Sequence, residues 1–166
     1  MSRSSQATVR SEPIAPVTIV TGPFHARAET LSIATDKALQ VLDLTDEVMA
    51  RVVALGVREG IATVCSQHTT CALFINESQA ALKEDIEQFL QHVVDPATPW
   101  LHNDPAHSDC DRMNAGAHLR ALFLHHSLTL QISGGELVLG QWQRILVAEL
   151  DGPRTRTLRL QVMGVA

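Results

Sequence analysis

Hydrophobic spacing changes repeatedly along the chain, and each change marks the boundary of an element. From Thr18 to Leu44, short runs alternate, as in His25–Ile33 and Ala38–Leu44, with Thr35-Asp36 available for a turn between them. This predicts two antiparallel strands. Thr45 then stands where a helix cap is favoured, Asp46 and Glu47 suit the positive end, Val48, Val52 and Leu55 share one face, and Gly60 can end the helix. Ile61–Ser66 is apolar and β-branched, Gln67-His68-Thr69-Thr70 interrupts it, and Cys71–Ile75 resumes as a strand leading into Asn76-Glu77. A second helix is predicted from near Ser78, with Leu82, Ile86, Phe89 and Val93 at helical spacing and charges opposite. Asp95–Asp111, with its prolines, acids, Trp100 and two histidines, reads as a functional loop. Asn114–Leu124 is predicted as a short third helix. Ser127–Ile132, Leu137–Leu150 and Thr157–Met163 follow as long strands, joined into successive hairpins by turns at Ser133-Gly134-Gly135 and Asp151-Gly152-Pro153.

Strands, then helices, then a meander do not alternate as a parallel doubly wound sheet requires. The order predicts an α+β fold: an antiparallel β-sandwich or partly closed barrel with two to three helices. Gly140, inside an apolar run, suggests a bulge that sets Gln141-Trp142-Gln143 on a twisted rim. Residues 1–16 lack periodicity and carry Ser, Pro and charge, so a disordered tail is expected there and a single domain over residues 17–166.

Composition narrows the partners. The chain has 166 residues, 45% of them hydrophobic, enough for a sizeable core. Its 13 Lys and Arg against 18 Asp and Glu give a net charge of −5, with no basic stripe interleaved with aromatics, so nucleic acid is not an expected partner. Cys65, Cys71 and Cys110 are odd in number and lack CxxC spacing, which argues against a disulfide framework or thiolate zinc site and for a reducing, cytoplasmic setting. No run approaches signal-peptide or membrane-spanning character, so no membrane association is expected.

The candidate chemistry lies in the histidines. Of eight, His68, His102 and His118 sit in short polar motifs outside any apolar stripe, and neutral imidazole binds divalent metal or moves protons near neutrality. No local HExxH-type signature exists, so any site must be assembled from separate segments. Glu77, following a buried strand, suits general-base work if desolvated, with Asn76 orienting it; a helix-entry acid is the plainer alternative. Arg154 and Arg156 flank the last turn, where a guanidinium could grip phosphate or simply pair with Asp151. Trp142 could stack on a heteroaromatic ring, although a tryptophan on a sandwich strand is more often core or interface. Cys71 reads as a small buried hydrophobe.

Gln67-His68-Thr69-Thr70-Cys71-Ala72-Leu73 with Asn76-Glu77, then Trp100-Leu101-His102, Asn114 with Ala117-His118-Leu119, Ser127-Leu128, Gly140-Gln141-Trp142-Gln143 and Asp151-Gly152-Pro153-Arg154 together carry a resemblance. From about Thr30 to Gly164 the chain resembles the YjbQ family, whose members are called secondary thiamine-phosphate synthase enzymes. The resemblance implies a homotrimer of antiparallel β-sandwich subunits, a histidine-lined pocket able to bind a divalent metal, with zinc the expected ion, and weak thiamine-phosphate synthase activity. That reaction joins a pyrimidine pyrophosphate to a thiazole phosphate with loss of pyrophosphate. The residues matching the family's polar motifs are His68, Asn76, Glu77, His102, Asn114, His118, Trp142, Gln143 and Arg154. Two departures stand out: His125-His126 occupies a place where relatives commonly have glycine, which could alter the pocket rim, and the paired acids before the third helix are only loosely represented by Asp109, Asp111 and Asn114.

With the resemblance, His68, His102 and His118 become the expected metal ligands, Glu77 and Asn76 the catalytic pair, and Arg154, Gln143 and Asn114 the binding groups for a small phosphorylated substrate. Three imidazoles and an open water position form a catalytic type of zinc site. The alternatives are a metal-dependent hydrolase of a small phosphorylated substrate, since no glycine-rich phosphate cradle is present, and a non-catalytic trimeric metal-binding scaffold.

Overall fold

The computed structural model describes residues 19–166; the expected tail over residues 1–16 lies outside them. The elements run β1 (Phe24–Ala34), β2 (Gln40–Asp43), α1 (Thr45–Leu55), β3 (Glu59–Ser66), β4 (Cys71–Asn76), α2 (Ala80–His92), a 3-10 turn (Leu101–Asn103), α3 (Ala115–Ala121), β5 (Ser127–Ser133), β6 (Glu136–Leu137), β7 (Arg144–Glu149) and β8 (Thr155–Val165). Two antiparallel sheets result, one ordered β1-β8-β3-β5-β6 and the other β2-β7-β4. The α+β expectation holds, with antiparallel sheets that meet at a corner.

Burial explains the layering. Leu31, Val64, Leu158 and Leu160 of the five-stranded sheet pack against Leu73, Ile145 and Val147 of the three-stranded sheet, with Val48 and Val52 of α1 completing that core. The other face of the small sheet carries Ala72, Phe74, Leu146 and Ala148, covered by Leu90 of α2 and Ala117 of α3. Because both its faces are covered, β7 is buried continuously from Ile145 to Glu149 rather than alternating. At the corner, Leu73 exchanges backbone hydrogen bonds of 2.6 and 3.0 Å with His125, while Ser66 N–H donates to the His126 carbonyl at 2.7 Å. The His125-His126 pair thus links β4 in one sheet to β3 in the other.

Several local expectations change. The first two strands are not partners: β1 pairs with β8 along its whole length and β2 pairs with β7, so Thr35–Leu39 crosses between sheets. The Ser133-Gly134-Gly135 hairpin is present, with Gly134 and Gly135 at φ 62° and 90°, the conformation that suits a primed turn. The expected strand Leu137–Leu150 is broken instead of bulged. Gly140 and Gln143 close a turn in which Gly140 N–H donates to Gln143 Oε1 at 2.8 Å, and β7 begins only at Arg144. Asp151-Gly152-Pro153 is not a hairpin either, since β7 and β8 belong to different sheets.

Helix ends also shift for identifiable reasons. Gly56, at φ 69°, ends α1 four residues before the expected Gly60. Gly60 instead lies in β3 opposite Gly164, where an added Cβ would sit 2.1 Å from the Met163 carbonyl oxygen. Thr45 is the first helical residue and not the cap; Asp43 Oδ1 accepts from its N–H and hydroxyl at 2.9 and 2.6 Å. Gln79 caps α2 by accepting from Leu82 N–H at 2.7 Å. Its buried residue is Leu90, with Ile86 packed one turn earlier, while Phe89 remains 59% exposed.

Candidate functional site

The histidines gather where the Gln67–Thr70 break, the Asp95–Asp111 loop and α3 meet. His118, on α3, is shared by two adjoining clefts. One, of about 410 Å³, is lined by His68, Cys71, His126 and Leu122 besides His118. The other, of about 420 Å³, is lined by Trp100, Leu101 and His102 as well. The His102 and His118 rings meet edge to face with centroids 5.0 Å apart.

A polar chain stands behind His102. Asp151 Oδ2 accepts from Asn114 Nδ2 at 2.9 Å, and since a carboxylate only accepts, this orients the amide with Oδ1 toward the ring. His102 Nε2 lies 3.2 Å from that Oδ1 and is therefore the donor, leaving the Nδ1 lone pair free in the neutral ring. Asp151 is held in turn by Arg154, whose Nε donates to its carbonyl at 2.6 Å and whose terminal nitrogen reaches its carboxylate at 2.9 Å. Arg112 approaches the same carboxylate at 3.6 Å. The acid behind the histidines is thus Asp151, and not Asp109 or Asp111.

His68 is engaged differently. Its Nε2 accepts from Thr157 N–H at 2.7 Å, so the neutral ring carries its proton on Nδ1. Burial, then the neighbouring Arg156 charge, lowers its pKa against the opposing pull of Glu149. Burial, followed by His102, lowers that of His118, with Asp151 opposing. Both shifts favour the neutral ring. Among the described residues, no three His, Cys, Asp or Glu side chains assemble as a metal-binding group. His102 Nδ1 and the His118 ring carry no hydrogen bond among the described residues and are available as donors, whereas the His68 lone pair is occupied in this ring orientation.

Beneath the site lies a buried ion pair that sequence reasoning passed over. Glu149 and Arg156 are 0% and 3% exposed, and the guanidinium contacts both carboxylate oxygens. Arg156 also donates to the Thr70 carbonyl and hydroxyl, while Glu149 accepts from Thr35 Oγ1 and Asp151 N–H. Burial alone would raise the Glu149 pKa, but Arg156 and these hydrogen bonds outweigh it and hold the acid ionised. The pair anchors both the His68 loop and the Asp151 turn. Its signal was present in the strand alternation, because Arg156 shares a face with Leu158 and Leu160.

Asn76, Glu77 and Gln143 do not join the histidines. In the β4–β7 ladder Cys71 faces Glu149 and Asn76 faces Arg144, so the two motif groups occupy opposite strand ends. At about 3.4 Å per residue, β4 separates them by roughly 17 Å. Asn76 Oδ1 accepts from Glu77 N–H at 2.9 Å, and Gln143 serves its own turn. Trp142, 65% exposed, belongs to this far end and joins neither core cluster among the described residues.

The UPF0047 protein YjbQ-like family model matches residues 29–165. The chain belongs to the YjbQ/UPF0047 family. It is similar to a UPF0047 protein of Methanothermobacter thermautotrophicus, 38% identical over 82% of this chain and 91% of that one. Bacillus subtilis YugU is 34% identical over 82% and 98% of the respective chains. Among solved structures, a YbjQ-like protein of unknown function from Sulfolobus solfataricus superposes with a TM-score of 0.78 at 32% identity, covering 85% of this chain and 99% of that one. A hypothetical protein from Aeropyrum pernix gives 0.76 at 38% identity, over 83% and 98%. These relatives agree with the YjbQ resemblance and with the fold. No helix among the described residues is long and apolar enough to cross a membrane.

Proposed function

We propose that this YjbQ-family chain is an enzyme acting on a small phosphorylated substrate in the clefts around His118, with thiamine-phosphate synthase activity as the reaction its family resemblance implies. The observation that carries this reading is His118 itself: a neutral imidazole shared by two clefts, with His102 against its edge and His102 oriented through Asn114, Asp151 and Arg154. The cofactor we assign is a divalent ion, zinc by its imidazole donors, with His102 and His118 as the chain's ligands; bound there, it supplies Lewis-acid stabilisation of phosphoryl oxygens.

In the implied condensation, a C–N bond forms between the thiazole nitrogen and the pyrimidine's methylene carbon, and the C–O bond to pyrophosphate breaks, the pyrophosphate leaving with the electron pair. The protein must orient two rings and stabilise departing negative charge. Asn114 holds the His102 tautomer, His68 turns an Nδ1–H donor toward its surroundings, and Arg112 is a cation loosely paired enough to meet phosphate. The exposed Leu101, Leu122 and Phe123 near the clefts supply apolar surface that a homotrimer, the assembly the resemblance implies, would cover.

The test is metal analysis of untagged protein and its His118→Ala and His68→Ala variants, with turnover of pyrimidine pyrophosphate plus thiazole phosphate compared with simple phosphoester cleavage. Zinc lost in His118→Ala but kept in His68→Ala, with the condensation faster than hydrolysis, is the expected result. Hydrolysis without condensation would make the chain a phosphoesterase. Turnover of neither, with chelation lowering the melting temperature, would reduce it to a metal-binding scaffold.

A further inference from the structure

At the end of the small sheet remote from the histidines lies a cleft of about 490 Å³ whose walls include Trp142, Gln141, Glu77, Asp43 and Arg144. Its charged floor is already committed. Asp43 accepts from Thr45 and pairs with Arg144 at 3.1 Å, and Arg144 reaches Asp46 at 3.3 Å. The Glu77 carboxylate and the Gln141 amide carry no side-chain hydrogen bond or ion pair among the described residues, and Trp142 leaves 65% of its surface open beside them. A large indole that packs in no core, next to an uncommitted carboxylate, is the pair of groups that recognises positive charge spread over a nitrogen centre.

The balance of charge selects the sign of the ligand. Asp43 and Glu77 line the cleft against Arg144 alone, and Arg144 is shared with Asp46, so formal negative charge is in excess. Two helices begin nearby, and their positive ends would favour an anion. Both starts are already served by side chains, α1 by Asp43 and α2 by Gln79. An anion would therefore face two carboxylates with no free cation among the described lining residues to meet it.

We propose that this cleft is a second binding site, separate from the histidine clefts, for an organic cation whose nitrogen centre lies against the Trp142 ring and is neutralised by Glu77. Gln141, free at the rim, supplies a polar contact that orients the ligand. The site does not depend on the reaction assigned to His118. Its ligand class is a substituted ammonium or a protonated nitrogen heterocycle.

The chain has two tryptophans, so the indole N–H region of a ¹⁵N spectrum shows two signals, and a Trp100→Phe variant assigns that of Trp142. The full-length protein is titrated at pH 7 with tetramethylammonium, with protonated 4-aminopyridine, with the neutral isostere tert-butanol and with inorganic phosphate. Both cations are expected to move the Trp142 signal saturably, with tert-butanol and phosphate leaving it in place, and Glu77→Gln is expected to weaken the cations by about fivefold or more. Trp142→Leu, followed through the Gln141 and Ser78 amides, removes the response. A linear drift without saturation, an equal response to tert-butanol, a larger response to phosphate, or unchanged affinity in a folded Glu77→Gln protein would each overturn the proposal.

Discussion

The two ends of the β4–β7 ladder begin from similar material, with acids, arginines and amides at each, and finish in opposite states. At the Cys71–Glu149 end, Glu149 and Arg156 are enclosed, both carboxylate oxygens and the Nε and Nη2 of the guanidinium are hydrogen-bonded, and two loops hang from them. At the Asn76–Arg144 end, the ion pairs are open to solvent and Glu77, Gln141 and Trp142 are uncommitted. The difference teaches where rigidity is placed. A buried pair is poor evidence of net stability, because desolvation offsets its attraction, but it imposes one geometry on whatever it holds. Here it holds the histidine loop and the Asp151 turn, the parts in which orientation decides whether an imidazole lone pair is free.

The sharpest way to break this contrast is Arg156→Met. It strands a buried carboxylate and should cost about 3–5 kcal/mol in urea denaturation, while Arg156→Met combined with Glu149→Leu recovers most of the loss. A single variant no weaker than the double would show that the pair anchors nothing. Next in size, Asn114→Ala frees the His102 ring and should lower zinc affinity about 10–100-fold by titration against a chelator, whereas Glu77→Gln at the far end leaves it unchanged. Equal effects of the two substitutions would erase the distinction between the ends.

A smaller effect is expected from Asp43. Burial opposes its ionisation, but hydrogen bonds from Thr45, Ser78 and Arg144 win and lower its pKa from 3.8 to about 2. An acid with a depressed folded-state pKa contributes stability that is complete above the unfolded value and is lost as pH falls through the folded one. Stability should therefore decline by about 1–2 kcal/mol between roughly pH 4 and 2, and that acid limb should flatten in Asp43→Asn. Smallest of all, Glu77→Gln should change stability by less than about 0.5 kcal/mol, since an exposed carboxylate without a partner contributes little. A larger loss in thermal melts would mean that Glu77 has a structural partner.

Much of the fold was legible before the structure. The α1 face of Val48 and Val52, the two interrupted strands around His68 and the Gly134-Gly135 hairpin all come from local spacing and turn chemistry. The site was legible in part. His118 and His102 do meet, and Asn114 does serve His102. Glu77 and Gln143 were grouped with them by motif membership, which carries no distance. Arg154 turned inward to Asp151, the plainer of its two readings. Glu149 was missed because a single acid in an apolar strand looks like a solvent-facing interruption until both faces of that strand are known to be covered.

The sequence by itself determined most of the strand and helix segments, the Gly134-Gly135 turn and which side chains can bind metal or protons, because these depend on neighbours within a few residues. Only the tertiary structure decided that β7 and β8 part into different sheets, that Glu149 and Arg156 meet in the interior, and that β4 holds His68 and Glu77 at opposite ends. Those outcomes depend on which distant strand completes each ladder, and hydrophobic periodicity is the same for either partner.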